Sequence, residues 1–98
     1  MLTFKKIMSN KFILLGENDN VVVAISDVKK GETFELNGEK IVALDDIPFG
    51  HKMAIKDIKR GEYIIKYNEI IGIAKTDIKK GSHVHIHNIE SLRGKKHE

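Results

Sequence analysis

The sequence predicts an all-β fold of short strands and recurring corners, and three observations carry that prediction. One phrase occurs three times: Ala24-Ile25-Ser26-Asp27-Val28-Lys29-Lys30-Gly31, then Ala54-Ile55-Lys56-Asp57-Ile58-Lys59-Arg60-Gly61, then Ala74-Lys75-Thr76-Asp77-Ile78-Lys79-Lys80-Gly81. Apolar residues fall in short runs bounded by turn formers, the signature of strands. Nowhere does their spacing support a long amphipathic helix. Each copy of the phrase reads as a strand running into Asp, one short helical or 3₁₀-like turn, and a Gly. The Asp carboxylate suits the cap because it accepts orphan backbone N–H groups, and the Gly takes the left-handed conformation that ends the turn. The aliphatic residue after each Asp tucks under as a core plug. Unequal spacing between the copies argues against a solenoid.

Taken in order, Met1 to Asn10 is mixed, a short lead-in strand or a helical turn. Lys11 to Leu15 reads as a strand, and Gly16 to Asn20 is dense in turn residues. Val21 to Ile25 is a continuous apolar run, expected to be central and covered on both faces. Thr33 to Leu36 alternates and meets Asn37-Gly38, a strong hairpin signal, before Ile41 to Leu44 returns. Asp45-Asp46-Ile47-Pro48-Phe49-Gly50 is the one loop with Pro, and it leads into the strand His51 to Ile55. Glu62 to Lys66 and Glu69 to Ala74 form a hairpin over Tyr67-Asn68. His83 to His87 alternates as a strand with Val84 and Ile86 facing the core, and Ile89 to Glu98 is a polar tail.

A chain of 98 residues is one domain, 1–98, too small for an elaborate self-contained enzyme. The absence of cysteine removes disulfide and thiolate chemistry and fits a reducing compartment. No apolar run approaches the roughly 18 residues that span a bilayer, and Leu2 to Leu15 is too broken for a signal peptide. The expectation is a cytoplasmic protein with no membrane partner. Seventeen basic and 14 acidic residues leave a net charge of +3. Most lysines sit beside acids, so no one-signed stripe interleaved with aromatics favours nucleic acid. The mild excess of Lys suits an anionic small molecule.

Chemistry concentrates in the histidines. Strand periodicity puts His83, His85 and His87 on one face. Neighbouring imidazoles spaced i, i+2 on a strand can share a metal ion, and an exposed row on an edge strand is the other reading. His51 follows Gly50, where a sharp turn can lift its ring toward a site; a solvent-facing His before a strand reads equally well. Asp45 and Asp46 can supply metal or substrate ligands or form a polar turn. Lys66 and Tyr67 at a hairpin tip can hold an anion or be a solvated tip. No Ser/His/Asp order, phosphate loop or paired Cys is present, so the chain taken alone supports no complete active site.

The strings themselves say more. Asn18-Asp19-Asn20-Val21-Val22-Val23-Ala24, Ile47-Pro48-Phe49-Gly50-His51-Lys52-Met53-Ala54, Ile65-Lys66-Tyr67, Ile71-Gly72 and Gly81-Ser82-His83-Val84-His85-Ile86-His87-Asn88 occur in that order. Together they resemble the N-terminal β-clip (SAF) domain of the altronate/galactarate dehydratase family, over a core of residues 12–93 with a polar tail at 94–98. The resemblance implies an all-β β-clip domain, either fused ahead of a larger catalytic domain or made as a separate small subunit. It implies a hydro-lyase that removes water from an anionic sugar acid with a divalent metal, generally ferrous iron (Fe2+), held mainly by the large subunit. The resemblance implies that His51 and the His83–His87 row face a shared site and assigns no individual roles; the reading adopted takes His51, His85 and His87 as catalytic groups, Lys52, Lys66 and Asn88 as substrate contacts, and His83 and His85 as metal ligands. The expected partner is a large catalytic subunit, with a homodimer open for the isolated chain. A related branch eliminates sulfite from sulfolactate, and a non-catalytic carbohydrate- or protein-binding β-clip module is the remaining reading. Two departures stand out: Asn68 where relatives commonly have Gly, and Ser82 where they often carry Glu.

Overall fold

The computed structural model describes residues 6–91; the first five residues and residues 92–98, including the expected tail with His97, lie outside them. Among the described residues there are ten β-strands and no helix. They are β1 (Lys6–Met8), β2 (Phe12–Leu14), β3 (Val21–Ala24), β4 (Thr33–Leu36), β5 (Glu39–Val42), β6 (Lys52–Ala54), β7 (Tyr63–Lys66), β8 (Glu69–Ala74), β9 (His83–Val84) and β10 (Ile89–Ser91). A five-stranded antiparallel sheet runs β1-β2-β3-β6-β9, a three-stranded sheet runs β10-β8-β7, and β4 pairs with β5. The all-β β-clip reading holds.

The apolar run in β3 explains how these sheets come together. Val22 and Ala24 face a core with Phe12, Phe34, Ile41 and Met53, while Val21 faces a second core with Ala54, Ile64 and Val84. Because successive strand residues point to opposite faces, β3 is a septum between two apolar clusters, which is why its sequence does not alternate.

The corners differ from the sequence reading in an informative way. Each is a single turn with no helix: Glu32 N–H bonds Lys29 C=O at 3.1 Å, and Gly31, Gly61 and Gly81 hold the expected positive φ of 97°, 89° and 96°. The Asp, however, does not cap its own turn. Asp57 Oδ1 accepts the N–H of Lys80, and Asp77 Oδ1 accepts the N–H of Arg60, each at 2.9 Å. Ile58 and Ile78 exchange both backbone hydrogen bonds, at 2.8 and 2.7 Å. Two corners therefore lock each other through a local two-fold relation.

The first corner needs a partner as well, and it has one that the sequence reading treats as a loop. Ala43-Leu44-Asp45-Asp46-Ile47-Pro48-Phe49-Gly50 is a fourth copy of the phrase, disguised by Pro and by the doubled Asp. Asp46 Oδ1 accepts Lys30 N–H at 2.8 Å, Asp27 Oδ1 accepts Phe49 N–H at 2.9 Å, and Val28 pairs with Ile47. All four aliphatic plugs, Val28, Ile47, Ile58 and Ile78, are buried.

Of the two readings of the lead-in, the strand holds: β1 pairs with β2 in a hairpin, with Ser9 and Asn10 at positive φ between them. Two further corrections follow from tertiary contacts. Ile89–Ser91, expected as tail, is a strand on β8, because Ile89 packs against the second core. The strand expected over His83–His87 stops at Val84, and Ile86, expected in the core, is 75% exposed. Its cause is Asn88: the side chain accepts His85 N–H at 2.9 Å and donates to His83 C=O at 2.8 Å, which closes a turn.

Candidate functional site

The site is built where β6 meets β9. The register pairs Met53 with His83 and Lys52 with Val84, so His51, one residue before β6, comes opposite His85. Antiparallel partners share a face, and three imidazoles from two distant segments are brought together. His51 Nδ1 lies 2.8 Å from His83 Nε2. The His51 and His85 rings stack with centroids 4.0 Å apart and planes 23° from parallel. One nitrogen from each of His51, His83 and His85 falls within 4.8 Å of the others. His87 follows the turn outward; its ring is 5.2 Å from that of His83, and its side chain is exposed.

Electrostatics favour neutral rings here. Partial burial lowers the pKa of His83 below 6.5, the neighbouring His51, His87 and His85 push the same way, and the Asp45 carboxylate opposes them. His85 is lowered by loss of solvent first and then by His51, Lys52 and His87. Neutral imidazoles offer lone pairs, the form that accepts a proton or ligates a metal.

Lys52 alternates with His51 and Met53 and so leaves from the opposite face of the strand. Burial lowers its pKa and the charge of Lys66 lowers it further. Lys66 is brought there by a buried carboxylate that the sequence reading passes over. Asp19, 3% exposed, accepts N–H bonds from Gly16 and Tyr67 at 2.9 Å and from Asn68 at 2.8 Å. Tyr67 and Asn68 both have positive φ, at 59° and 61°, so Asn68 serves where a Gly is usual. Holding a residue such as Tyr in that region costs about 1–2 kcal/mol, which charge-assisted bonds of about 1.5–3 kcal/mol each offset. Asn20 fastens the same hairpin, accepting Ile65 N–H at 2.8 Å and donating to Tyr63 C=O at 2.9 Å.

Of the sequence-chosen residues, His51, His83 and His85 converge, His87 stands beside them, and Lys52 and Lys66 neighbour each other, with the Lys52 charge close enough to act on His85. Asn88 is 7% exposed, with its amide engaged in the turn. Asp45 joins the site through its Oδ2, which accepts His83 N–H at 3.0 Å. The three converging rings are half-buried. A concavity of about 420 Å³ elsewhere is lined by Leu14, Glu17, Leu36, Lys56 and Asp57 among others and holds none of these histidines. The two most exposed large apolar side chains among the described residues are neighbours of these histidines in sequence: Phe49, at 67%, precedes His51 by two positions, and Ile86, at 75%, follows His85.

Comparison with known proteins gives this surface a context. A family model described as the altronate/galactarate dehydratase SAF domain matches residues 10–92. The chain is 42% identical over 80 residues to an altronate dehydratase of Bacillus subtilis (strain 168), covering 82% of this chain and 16% of that protein. Against an altronate dehydratase of Escherichia coli (strain K12) the identity is 38% over 78 residues, 80% of this chain and 16% of that protein. Against the (2R)-sulfolactate sulfo-lyase subunit alpha of Chromohalobacter salexigens it is 34% over 93 residues, 88% of this chain and 99% of that subunit. The chain thus spans 16% of the length of the two dehydratases and nearly all of the sulfo-lyase subunit.

Proposed function

The chain belongs to the altronate/galactarate dehydratase SAF-domain family, a family of lyases, and on that premise we propose that it is the small subunit of a sugar-acid dehydratase. The observation that carries this reading is the meeting of His51, His83 and His85 on an uncovered surface. A larger catalytic part closes over it and supplies the rest of the machinery. Phe49 and Ile86 are the apolar contacts that such a part would cover, since exposed aromatic and aliphatic anchors favour burial on association.

The reaction is a β-elimination. A base takes the proton on the carbon next to the carboxylate, and the electron pair forms a carbon–carbon double bond. The neighbouring C–O bond breaks, and its hydroxyl leaves as water after an acid protonates it. A neutral His85 is the base this chain can offer, its ring stacked on His51, and the His51–His83 hydrogen bond extends the network beyond it. Lys52 and Lys66 attract the anionic substrate. His87, more exposed, contacts the substrate or delivers the proton to the leaving group.

We assign the divalent metal, Fe2+, mainly to the larger catalytic part. Three neutral nitrogens within 4.8 Å of one another fit such an ion as well, and His51, His83 and His85 are the residues of this chain that would hold one. A bound divalent ion supplies Lewis-acid stabilisation of the charge that develops on the substrate.

Reconstitution tests this reading. The 98-residue chain alone is expected not to dehydrate altronate or galactarate, and turnover is expected on adding the catalytic part and Fe2+. His51→Ala and His85→Ala should each lower that turnover by about 10²-fold or more, the scale of a lost acid–base group. Wild-type turnover in both variants, or full turnover by this chain alone, overturns the reading. A second reading, sulfite release from sulfolactate, is favoured by the match along 99% of a sulfo-lyase subunit. Assay of both substrates with the same catalytic part decides between them. The cytoplasm is the compartment that either reading implies.

A further inference from the structure

Every corner carries a capping Asp, and only the fourth doubles it, as Asp45-Asp46. Asp46 performs the task common to all four, accepting the N–H of Lys30 from the partner corner. The positions equivalent to Asp45 hold Ser26, Lys56 and Thr76, so corner geometry does not ask for a carboxylate there.

What Asp45 does instead is set by the edge of the main sheet. β9 is two residues long and lies at that edge. Ala54 N–H bonds to Ser82 C=O at 3.0 Å, which makes Met53 and His83 a non-hydrogen-bonded pair and turns the N–H of His83 away from β6. An outward amide on so short a strand has no ladder partner, and Asp45 Oδ2 accepts it at 3.0 Å. The chain leading to Asp45 runs along the same segment. Leu44 N–H bonds to Gly81 C=O at 2.8 Å, and a Cβ on Gly81 would stand 2.0 Å from Val42 C=O. Val42 to Asp45 is therefore a rail against which the His83 segment is seated.

We propose that Asp45 is the positioning residue of the imidazole cluster: it seats the edge strand so that His83 Nε2 stays within hydrogen-bond distance of His51 Nδ1. The proposal deepens the reading of this cluster as a reaction site and rests on it for its catalytic consequence. Its structural consequence stands alone. One ring nitrogen of the pair must carry the proton and the other must accept it, so a seated His83 ties the two neutral rings to matching tautomers, both Nδ1–H or both Nε2–H.

The test uses the 98-residue chain labelled with ¹⁵N at histidine, at a pH above the ordinary His range. In the wild type, His51 and His83 should show the same tautomer as each other, one that departs from the free-imidazole mixture, in the imidazole nitrogen spectrum. Asp45→Ala should average both toward the mixture of free imidazole, while Asp45→Asn, which keeps an acceptor oxygen, should retain the wild-type pattern. Asp46→Ala should lower Tm and leave the tautomers fixed. In the assembled enzyme Asp45→Ala should lower kcat about tenfold or more with KM little changed, and Asp45→Asn should restore most of it. Fixed tautomers in Asp45→Ala, loss of them in Asp45→Asn, or the same averaging in Asp46→Ala overturns the proposal. If the wild-type assembly turns over neither substrate, the reading of the reaction fails, and the spectra still decide whether Asp45 seats His83.

Discussion

His51 and His85 stack ring on ring, 4.0 Å between centroids, although one stands before β6 and the other after β9. Antiparallel pairing of Met53 with His83 makes this meeting, since it carries the residues on either side into register. Because the contact depends on long-range pairing, the stability of the corners and the hairpin becomes a condition of the cluster.

The corners should behave as coupled pairs. Asp57→Ala and Asp77→Ala should each cost about 0.5–2 kcal/mol, the range for a lost cap. The double variant should cost less than the sum, because breaking one bond loosens the frame that holds the other. Urea unfolding of the four proteins checks this, and strict additivity would speak against reciprocal locking. Gly81→Ala should be worse than Gly61→Ala, since a Cβ at Gly81 meets Val42 C=O while Gly61 has open space.

Asp19→Ala should be among the most destabilising single changes outside the apolar cores. It leaves three amide donors without their acceptor and frees Tyr67 from its positive φ. A loss of about 3 kcal/mol or more is expected, from charge-assisted bonds and a buried carboxylate. Thermal unfolding measures it, and hydrogen exchange at Tyr67 and Asn68 should quicken first.

The pKa of His83 and of His85 is lowered from 6.5 in the folded chain. The unfolded chain therefore binds protons at higher pH than the folded one does. The associated stability is fully present above the unfolded value and is lost as pH falls through 6.5 toward the folded values. Tm of the metal-free chain should be level from neutrality up to the range where Lys52 titrates and decline on acidification below neutrality, with the decline smaller in His83→Gln. A Tm that rises on mild acidification would contradict the lowered values.

Phe49→Asp and Ile86→Asp should leave the fold intact, because both side chains are already exposed. On the proposed small-subunit reading, each should weaken association with the catalytic part by about 1 kcal/mol or more. Titration calorimetry reads this directly. Equal loss of self-association by the isolated chain in sedimentation would show that the same patch also joins two copies.

Much of this molecule was legible because the backbone rules involved are local. A corner needs Asp, an aliphatic plug and a Gly that can take positive φ, and those residues announce themselves at Gly31, Gly61 and Gly81. Asn37-Gly38 marks its hairpin in the same way, and Val21 to Ile25 reads as a central strand because no polar residue interrupts it, although the strand ends at Ala24 and Ile25 is exposed. His51 and the His83–His87 string were visible as candidates from residue type alone.

Tertiary structure decided the rest. Which Asp caps which turn depends on the two-fold pairing of corners, so neither the exchange between Asp57 and Asp77 nor the corner hidden in Asp45 to Gly50 follows from neighbours in sequence. The spacing Ala-x-x-Asp-Ile-x-x-Gly was the signal available for that fourth corner. His87 leaves the expected row because Asn88 draws the chain into a turn, which outweighs a two-residue alternation with no ladder beyond Val84 to hold it. Asp19 is polar and buried, a combination that composition disguises as a solvent turn and that only its three amide partners explain. The imidazole cluster itself exists because burial of Met53, Ala54 and Val84 in two cores sets the β6–β9 register, and a slip of one residue would carry the rings to the opposite face.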